Sequence, residues 1–330
     1  MHTHQPNKVE ADFRRDHRCQ RELSASDLLV LTGEVEQALI ARGAVVGLET
    51  TLIAHGLPFP QNLSLARELE QIVRDGGAVP ATIGVLGGFA HIGLTDAQLE
   101  HMATSSSVPK LGARDLGIAL AQGLDGATTV SGTISLAAKA GLEVVATGGI
   151  GGVHLGAVDT WDESADMLSL SATRVAVVAS GVKSILDIRA TVERLETLSV
   201  PIIGYKTRQL PGFFVRETDV RLEWSVEDIP TLAAAVRNHF ALSSGGLLIA
   251  HPVSSQAELP RALHRDLLEG GLAAGKAEGI SGKQLTPFLL DYFHTHSNGA
   301  TIATNTALVK GNAALAAALA CELAAPTAHR

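Results

Sequence analysis

The chain carries only two cysteines, Cys19 and Cys321, near opposite ends of its 330 residues. A chain of that length with 46% hydrophobic content buries a large core without cross-links. A disulfide framework is therefore excluded, and a reducing cytoplasm fits. Positive charge is short as well: the formal net charge is −8, which leaves no basic face and excludes nucleic acid as the expected partner. The N-terminal stretch, to about Arg21, is polar and charged and lacks the apolar segment of a signal peptide. No run approaches the roughly 18 consecutive apolar residues that span a bilayer. The expectation is a cytoplasmic protein with no membrane partner. His2 and His4 read as part of a mobile tail over residues 1–30 rather than as a metal pair. A low-complexity linker is missing too, so residues 31–330 are expected to form one domain.

What is present is an alternation of β-type and helical runs. Leu28–Arg42 has helical spacing, with Val35, Leu39 and Ile40 on one side. Ala44–Leu48 reads as a strand ending at Glu49, and His55–Asn62 as a loop of turn-formers in which Asn62 caps the next helix. That helix runs to Asp75 and stops at Gly76-Gly77. Thr95-Asp96-Ala97-Gln98 has capping-box form. Further strands are expected over Ala81–Leu86, Phe89–Leu94, Gly126–Val130, Val144–Thr147, Val175–Ala179, Pro201–Tyr205 and Gly246–Ala250. Helices are expected over Gly132–Ala140, Ser164–Ala172, Val192–Leu198, Val226–Leu242, Leu259–Gly279 and Thr304–Ala324, with Pro230 marking a fresh start. Strands alternating with helices imply a mostly parallel, mixed sheet covered on both faces, a three-layer α/β/α fold.

In such sheets ligands bind outside the carboxyl ends of the strands. The polar residues expected there are Glu49, Thr147 with its glycines, and Ser180 to Lys183. Lys183 follows a buried strand, with Gly181 opening the backbone before it and a short helix after it. From position it is either a phosphate contact or an amine nucleophile. Gly148–Gly152 reads as a tight turn or as an anion cradle shared with Lys110 or His154. It matches neither the Gly-x-x-x-x-Gly-Lys-Ser/Thr nor the Gly-x-Gly-x-x-Gly nucleotide pattern. Asp162 and Asp166 are four apart and share a face if their segment is helical. Oxygen ligands of that kind suit Mg²⁺ or Mn²⁺ held largely through water, and equally suit a helix N-terminus.

Taken together, Glu49-Thr50-Thr51 with His55–Asn62, Gly76–Ile83, Gly126–Val130, Ala146–His154, Ser164-Ala165-Asp166, Gly181–Asp187, Pro201–Tyr205, Gly282-Lys283 and Thr286–Leu290 resemble the pseudouridine-5'-phosphate glycosidases, also called the indigoidine synthase A family. The resemblance runs from about Leu31 to Ala320. It implies cleavage of the C–C glycosidic bond of pseudouridine 5'-phosphate to uracil and ribose 5-phosphate. It further implies that Lys183 is the nucleophile, forming a Schiff base with ring-opened ribose, and Glu49 the proton donor. Asp162 is implied as the Mn²⁺ ligand, and Ser164, Ala165, Asp166, Lys110 and Val130 as substrate contacts. Thr129, Thr147, His154 and Asn305 are expected to line the pocket by the same similarity, and a homotrimer is expected because the family forms one.

The chemistry accounts for these residue types. A C–C bond has no leaving oxygen to protonate, so the paired-carboxylate route of ordinary glycosidases does not serve. An amine at C1 does, provided it is neutral, which calls for a lowered pKa at Lys183. The chain departs from the family pattern at Leu155, where arginine is usual, at His251-Pro252 in place of Asn-Pro, and at Gly311 before Asn312. These departures touch the acceptor side. They open two alternatives: a C-glycosynthase joining ribose 5-phosphate to an aromatic acceptor, and a non-catalytic phosphosugar-binding protein.

Overall fold

The computed structural model describes residues 24–280 and 285–326. Gly282-Lys283, Cys19 and most of the stretch read as a tail lie outside these residues.

Eleven strands form one mixed sheet. They are β1 (Leu29–Leu31), β2 (Val45–Glu49), β3 (Val79–Leu86), β4 (Phe89–Ile92), β5 (Lys110–Leu111), β6 (Gly126–Thr128), β7 (Val144–Ala146), β8 (Ala176–Ala179), β9 (Ile202–Tyr205), β10 (Trp224–Val226) and β11 (Leu247–Ala250). The order is β1-β4-β3-β2-β7-β8-β11-β9-β10, with β6 on β3 and β5 on β6. Every pairing is parallel except β3 with β4 and β3 with β6. The central strands β7, β8 and β11 are buried at every position, which is why they read as unbroken Val/Ile/Leu/Ala runs.

The helices are α1 (Gly33–Ile40), α2 (Thr51–His55), α3 (Gln61–Asp75), α4 (Asp96–Thr104), α5 (Leu116–Ala121), α6 (Val130–Ala140), α7 (Ala157–Thr160), α8 (Ala165–Ala172), α9 (Ile188–Thr197), α10 (Ile229–Leu242), α11 (Arg261–Ala277), α12 (Leu285–His296) and α13 (Ala300–Ala324). On one face α13 packs on β2, β7 and β8 with α3 and α10 beside it; on the other, α6 packs on β2 and β3 with α8 beside it. The expected three-layer α/β/α fold with a mostly parallel sheet is the observed one. By length and hydropathy α13 could cross a bilayer. Its Thr301, Thr304, Asn305 and Asn312 are buried and it packs on β2, β7 and β8, which makes it the core helix of this fold.

Several local expectations differ from the structure. Leu28–Arg42 is not one helix: Leu29–Leu31 pairs with β4 and only Gly33–Ile40 is helical. All three residues of the expected stripe lie in that helix, but Val35 is buried while Ile40 is 78% exposed, so they do not share one buried face. Asn62 does not cap α3. It sits inside the helix, buried, and its Nδ2 donates to the carbonyls of Ile53 and Ala103 at 2.9 and 2.8 Å, tying α2 to α4. Lys183 is followed by a turn, and α9 begins only at Ile188, where the Asp187 carboxylate accepts the Ala190 N–H. Pro230 does mark a fresh start: Asp228 caps α10 and the proline occupies its first turn. Helix α12 had no counterpart in the sequence reading.

Candidate active site

Register alone brings four functional groups to one end of the sheet. Glu49 closes β2, and the neighbouring parallel strands β7 and β8 release Thr147 and Ser180 at the same level. Glu49 pairs with Ile83 of β3, and Lys110 pairs with Ala127, which pairs with Gly84, the next residue of β3. Since β5 runs against the main direction, its first residue, Lys110, lies beside the carboxyl ends of the parallel strands.

Lys183 is carried there by a strained turn. Gly181 has φ +73°, and a Cβ on it would stand 1.9 Å from the Pro211 carbonyl oxygen. Only glycine holds this conformation at no cost. The Lys183 N–H then donates to the Ile150 carbonyl at 3.2 Å, fastening the Lys183 turn to the glycine loop. In Gly148–Gly152 the glycines serve close packing rather than positive φ. A Cβ would lie 2.5 Å from the Phe213 ring at Gly149, and 2.4 and 2.2 Å from the hydroxyls of Ser164 and Thr191 at Gly151 and Gly152.

Lys183, Glu49, Lys110 and Asn305 open onto one cavity of about 260 Å³. Thr51, Leu52, His55, Gly148, Gly149 and Phe213 also line it, as do Leu290, Asp291 and His294 of α12. Burial pushes the Glu49 carboxyl above its ordinary range, against the opposing pull of the Lys183 and Lys110 cations and of the Thr147 hydroxyl, which donates to its Oε1. Lys110 is held below its ordinary value by burial and by the Lys183 charge. His55 and His294 are both lowered by burial, His55 also by Lys110. A buried carboxyl whose pKa is raised is suited to donate a proton, and the two amines beside it are suited to bind an anionic sugar phosphate.

Asn312 supports this arrangement from α13. Its Nδ2 donates to the Thr147 carbonyl at 2.8 Å and to Ser180 Oγ at 3.2 Å, and its Oδ1 accepts from His251 Nδ1 at 3.0 Å. One buried amide thus ties β7, β8 and β11 at their ends.

The other expected residues fall into two groups outside the cavity lining. Asp166 is buried and accepts the N–H groups of Ser131 and Gly151 at 2.9 and 2.8 Å, joining the start of α6 to the glycine loop. Thr129 caps α6 and Val130 is its first residue; Ser164 caps α8 and Ala165 opens it. Asp162 lies before α8 rather than in it, so it does not share a helical face with Asp166. Its backbone pairs with His154, and His154 Nδ1 is 3.6 Å from its Oδ2. That oxygen is buried and accepts no hydrogen bond. Among the described residues no group of three or more His, Cys, Asp or Glu side chains gathers as a metal cage. A single orphaned carboxylate oxygen fits a divalent ion held otherwise by water. Leu155 is not among the cavity-lining residues.

His55, Asp291 and His294 were not singled out in the sequence. His55 stood inside the quoted motif and was read only as a turn residue. Asp291 and His294 lie on α12, which was not read as an element.

The sequence profile described as indigoidine synthase A like protein matches residues 34–322. A pseudouridine-5'-phosphate glycosidase of Salinispora tropica is 50% identical over 294 residues, covering 88% of this chain and 91% of that protein. One from Caldanaerobacter subterraneus is 46% identical, covering 89% and 96%. Among solved structures, the prealnumycin C-glycosynthase AlnA in complex with ribulose 5-phosphate superposes with a TM-score of 0.85 at 40% identity, covering 90% of this chain and 97% of AlnA. An indigoidine synthase A-like protein of Thermotoga maritima gives 0.81 at 36%, with the same coverage.

Proposed function

The chain belongs to the indigoidine synthase A family, and on that premise we propose that it cleaves pseudouridine 5'-phosphate to uracil and ribose 5-phosphate. The observation that carries this reading is the single cavity uniting Lys183, Lys110 and Glu49. Lys183 Nζ bonds to C1 while the bond from C1 to the ring oxygen breaks, and that oxygen takes a proton from Glu49. The attacking nitrogen then returns a proton to the Glu49 carboxylate, and its freed lone pair forms an iminium as the electron pair of the C–C bond leaves with the uracil carbon, which takes that proton from Glu49. Water hydrolyses the iminium, returning the free lysine and ribose 5-phosphate. Lys110 binds the anionic end, and Thr147 orients the Glu49 carboxyl.

Asp162 is the residue that would hold a divalent cation, Mn²⁺ in this proposal, which when bound would offset negative charge on the departing base. The same reading carries a homotrimer and a cytoplasmic location.

The similarity to AlnA supports a second reading, the bond-forming direction with an aromatic acceptor. The size of the cavity favours cleavage. About 260 Å³ lies below the roughly 300–1,000 Å³ of common ligand sites, which suits ribose phosphate with one small ring better than a polycycle. The test is to incubate the protein with pseudouridine 5'-phosphate and Mn²⁺, and in parallel with ribose 5-phosphate plus uracil or a polycyclic aromatic. Release of uracil supports cleavage. Product from the polycycle alone selects the synthase. Binding of ribose 5-phosphate without turnover in any arm selects the non-catalytic phosphosugar protein.

A further inference from the structure

Ser184, directly after the nucleophile, is bound from a helix distant in sequence. Its hydroxyl lies 2.7 Å from Nε2 of His264 on α11. Ser184 is buried and is not among the cavity-lining residues, so the pair does not present a hydroxyl nucleophile to a ligand. The other contact of the imidazole is informative. It meets the Phe293 ring edge-on, with centroids 5.9 Å apart at 76°. Phe293 is fully buried on α12, one residue before the cavity-lining His294. Phe293 stacks on Phe214 at 5.8 Å, and Phe214 meets Phe213 edge-on at 4.7 Å. Phe213 is itself cavity wall. The contacts thus run from the cavity wall through two buried rings and an imidazole back to the residue beside Lys183.

Lys183 is otherwise held at its backbone. Its N–H donates to Ile150 and its carbonyl accepts the Leu186 N–H at 3.0 Å. Those bonds close the turn. The Ser184 bond adds a side-chain anchor on a different element, α11. Burial holds His264 below its ordinary pKa, and a neutral imidazole offers one donor and one acceptor nitrogen, either of which complements a hydroxyl.

We propose that His264 is a positioning residue: bonded to Ser184 and packed on Phe293, it sets the direction in which the Lys183 side chain enters the cavity relative to α12. This rests on the reading of Lys183 as the amine that attacks C1. Such an attack needs near-contact geometry, and a misplacement of about 1 Å costs on the order of 10²-fold in rate.

Two substitutions separate the bond from the packing. His264→Phe keeps an aromatic edge on Phe293 but loses the bond; His264→Gln keeps a polar atom near the Nε2 position. In His264→Phe, kcat should fall by about tenfold or more with KM for the phosphosugar unchanged. Borohydride capture of ribose 5-phosphate on Lys183 should slow in proportion, while His264→Gln retains most of both. Ser184→Ala should match His264→Phe, and the double variant should be no slower than either single. If His264→Phe does not fold, the comparison of His264→Gln with Ser184→Ala still decides. Equal kcat and capture rates in wild type and Ser184→Ala, or a loss confined to KM, overturn the proposal. Absence of any captured sugar on the wild-type protein would instead remove the Schiff-base reading beneath it.

Discussion

At Glu49, burial and neighbouring charge act in opposite senses, and burial prevails. Between its ordinary value of 4.5 and the raised one, the folded protein keeps a proton that the unfolded chain releases. Stability should therefore fall as pH rises through that window. Glu49→Gln removes the titration, so urea unfolding at a series of pH values should show a flatter dependence in the variant. If Glu49 is the proton donor proposed above, the same substitution should lower kcat for cleavage by about 10²–10⁴-fold, with ribose 5-phosphate still bound. Asn312 makes a different kind of contribution. Replacing it with alanine leaves the Thr147 carbonyl and Ser180 buried without that partner, at about 1–3 kcal/mol for each unsatisfied group. A shift of the urea midpoint corresponding to at least about 2 kcal/mol is expected. Glu49 and Lys183 were legible in the sequence because Glu49 ends an apolar run and Lys183 follows one within a few residues, and a strand's end is a place the pattern specifies. Asp291 and His294 were not, since their approach to the cavity depends on how α12 folds back over strands far away in the chain.

Among the elements, the turn through Gly181 is the most constrained. Gly181→Ala would place a methyl against the Pro211 carbonyl in left-handed backbone. The left-handed conformation alone costs about 1–2 kcal/mol. The variant should melt at lower temperature in a thermal scan, and its Lys183 should capture ribose 5-phosphate more slowly under borohydride. The turn's glycine was readable beforehand, whereas the role of Gly148–Gly152 was not. Composition reports that a Cβ is missing but not whether φ or a neighbour demands it, and here Phe213, Ser164 and Thr191 demand it. Asn62 makes the same point. Its type suits a cap, yet two carbonyls on other elements recruit it to the interior. Asp162 and Asp166 share helical spacing, but α8 starts between them.

For the whole molecule, the three-layer fold followed from alternation of element types, because a parallel sheet needs helical crossovers and coverage on both faces. The order of strands did not follow, since pairing of β2 with β7 joins segments nearly a hundred residues apart. Two proposals belong to this scale. If Asp162 holds Mn²⁺, titration of the protein with Mn²⁺ monitored by electron paramagnetic resonance should show saturable binding that Asp162→Asn abolishes. Sedimentation equilibrium should give three times the mass of the 34.3 kDa chain if the homotrimer is correct.

The placement of the cavity walls has a consequence for descent. Glu49, Gly148 and Lys183 lie at or just beyond the ends of the adjacent strands β2, β7 and β8, where a change disturbs the centre of the sheet. Leu290, Asp291 and His294 sit on one helix outside the sheet. Variation at those three positions can thus reshape one wall of the cavity without altering the strands that carry Glu49 and Lys183. Grafting that helix between a cleaving and a joining relative is the corresponding laboratory experiment.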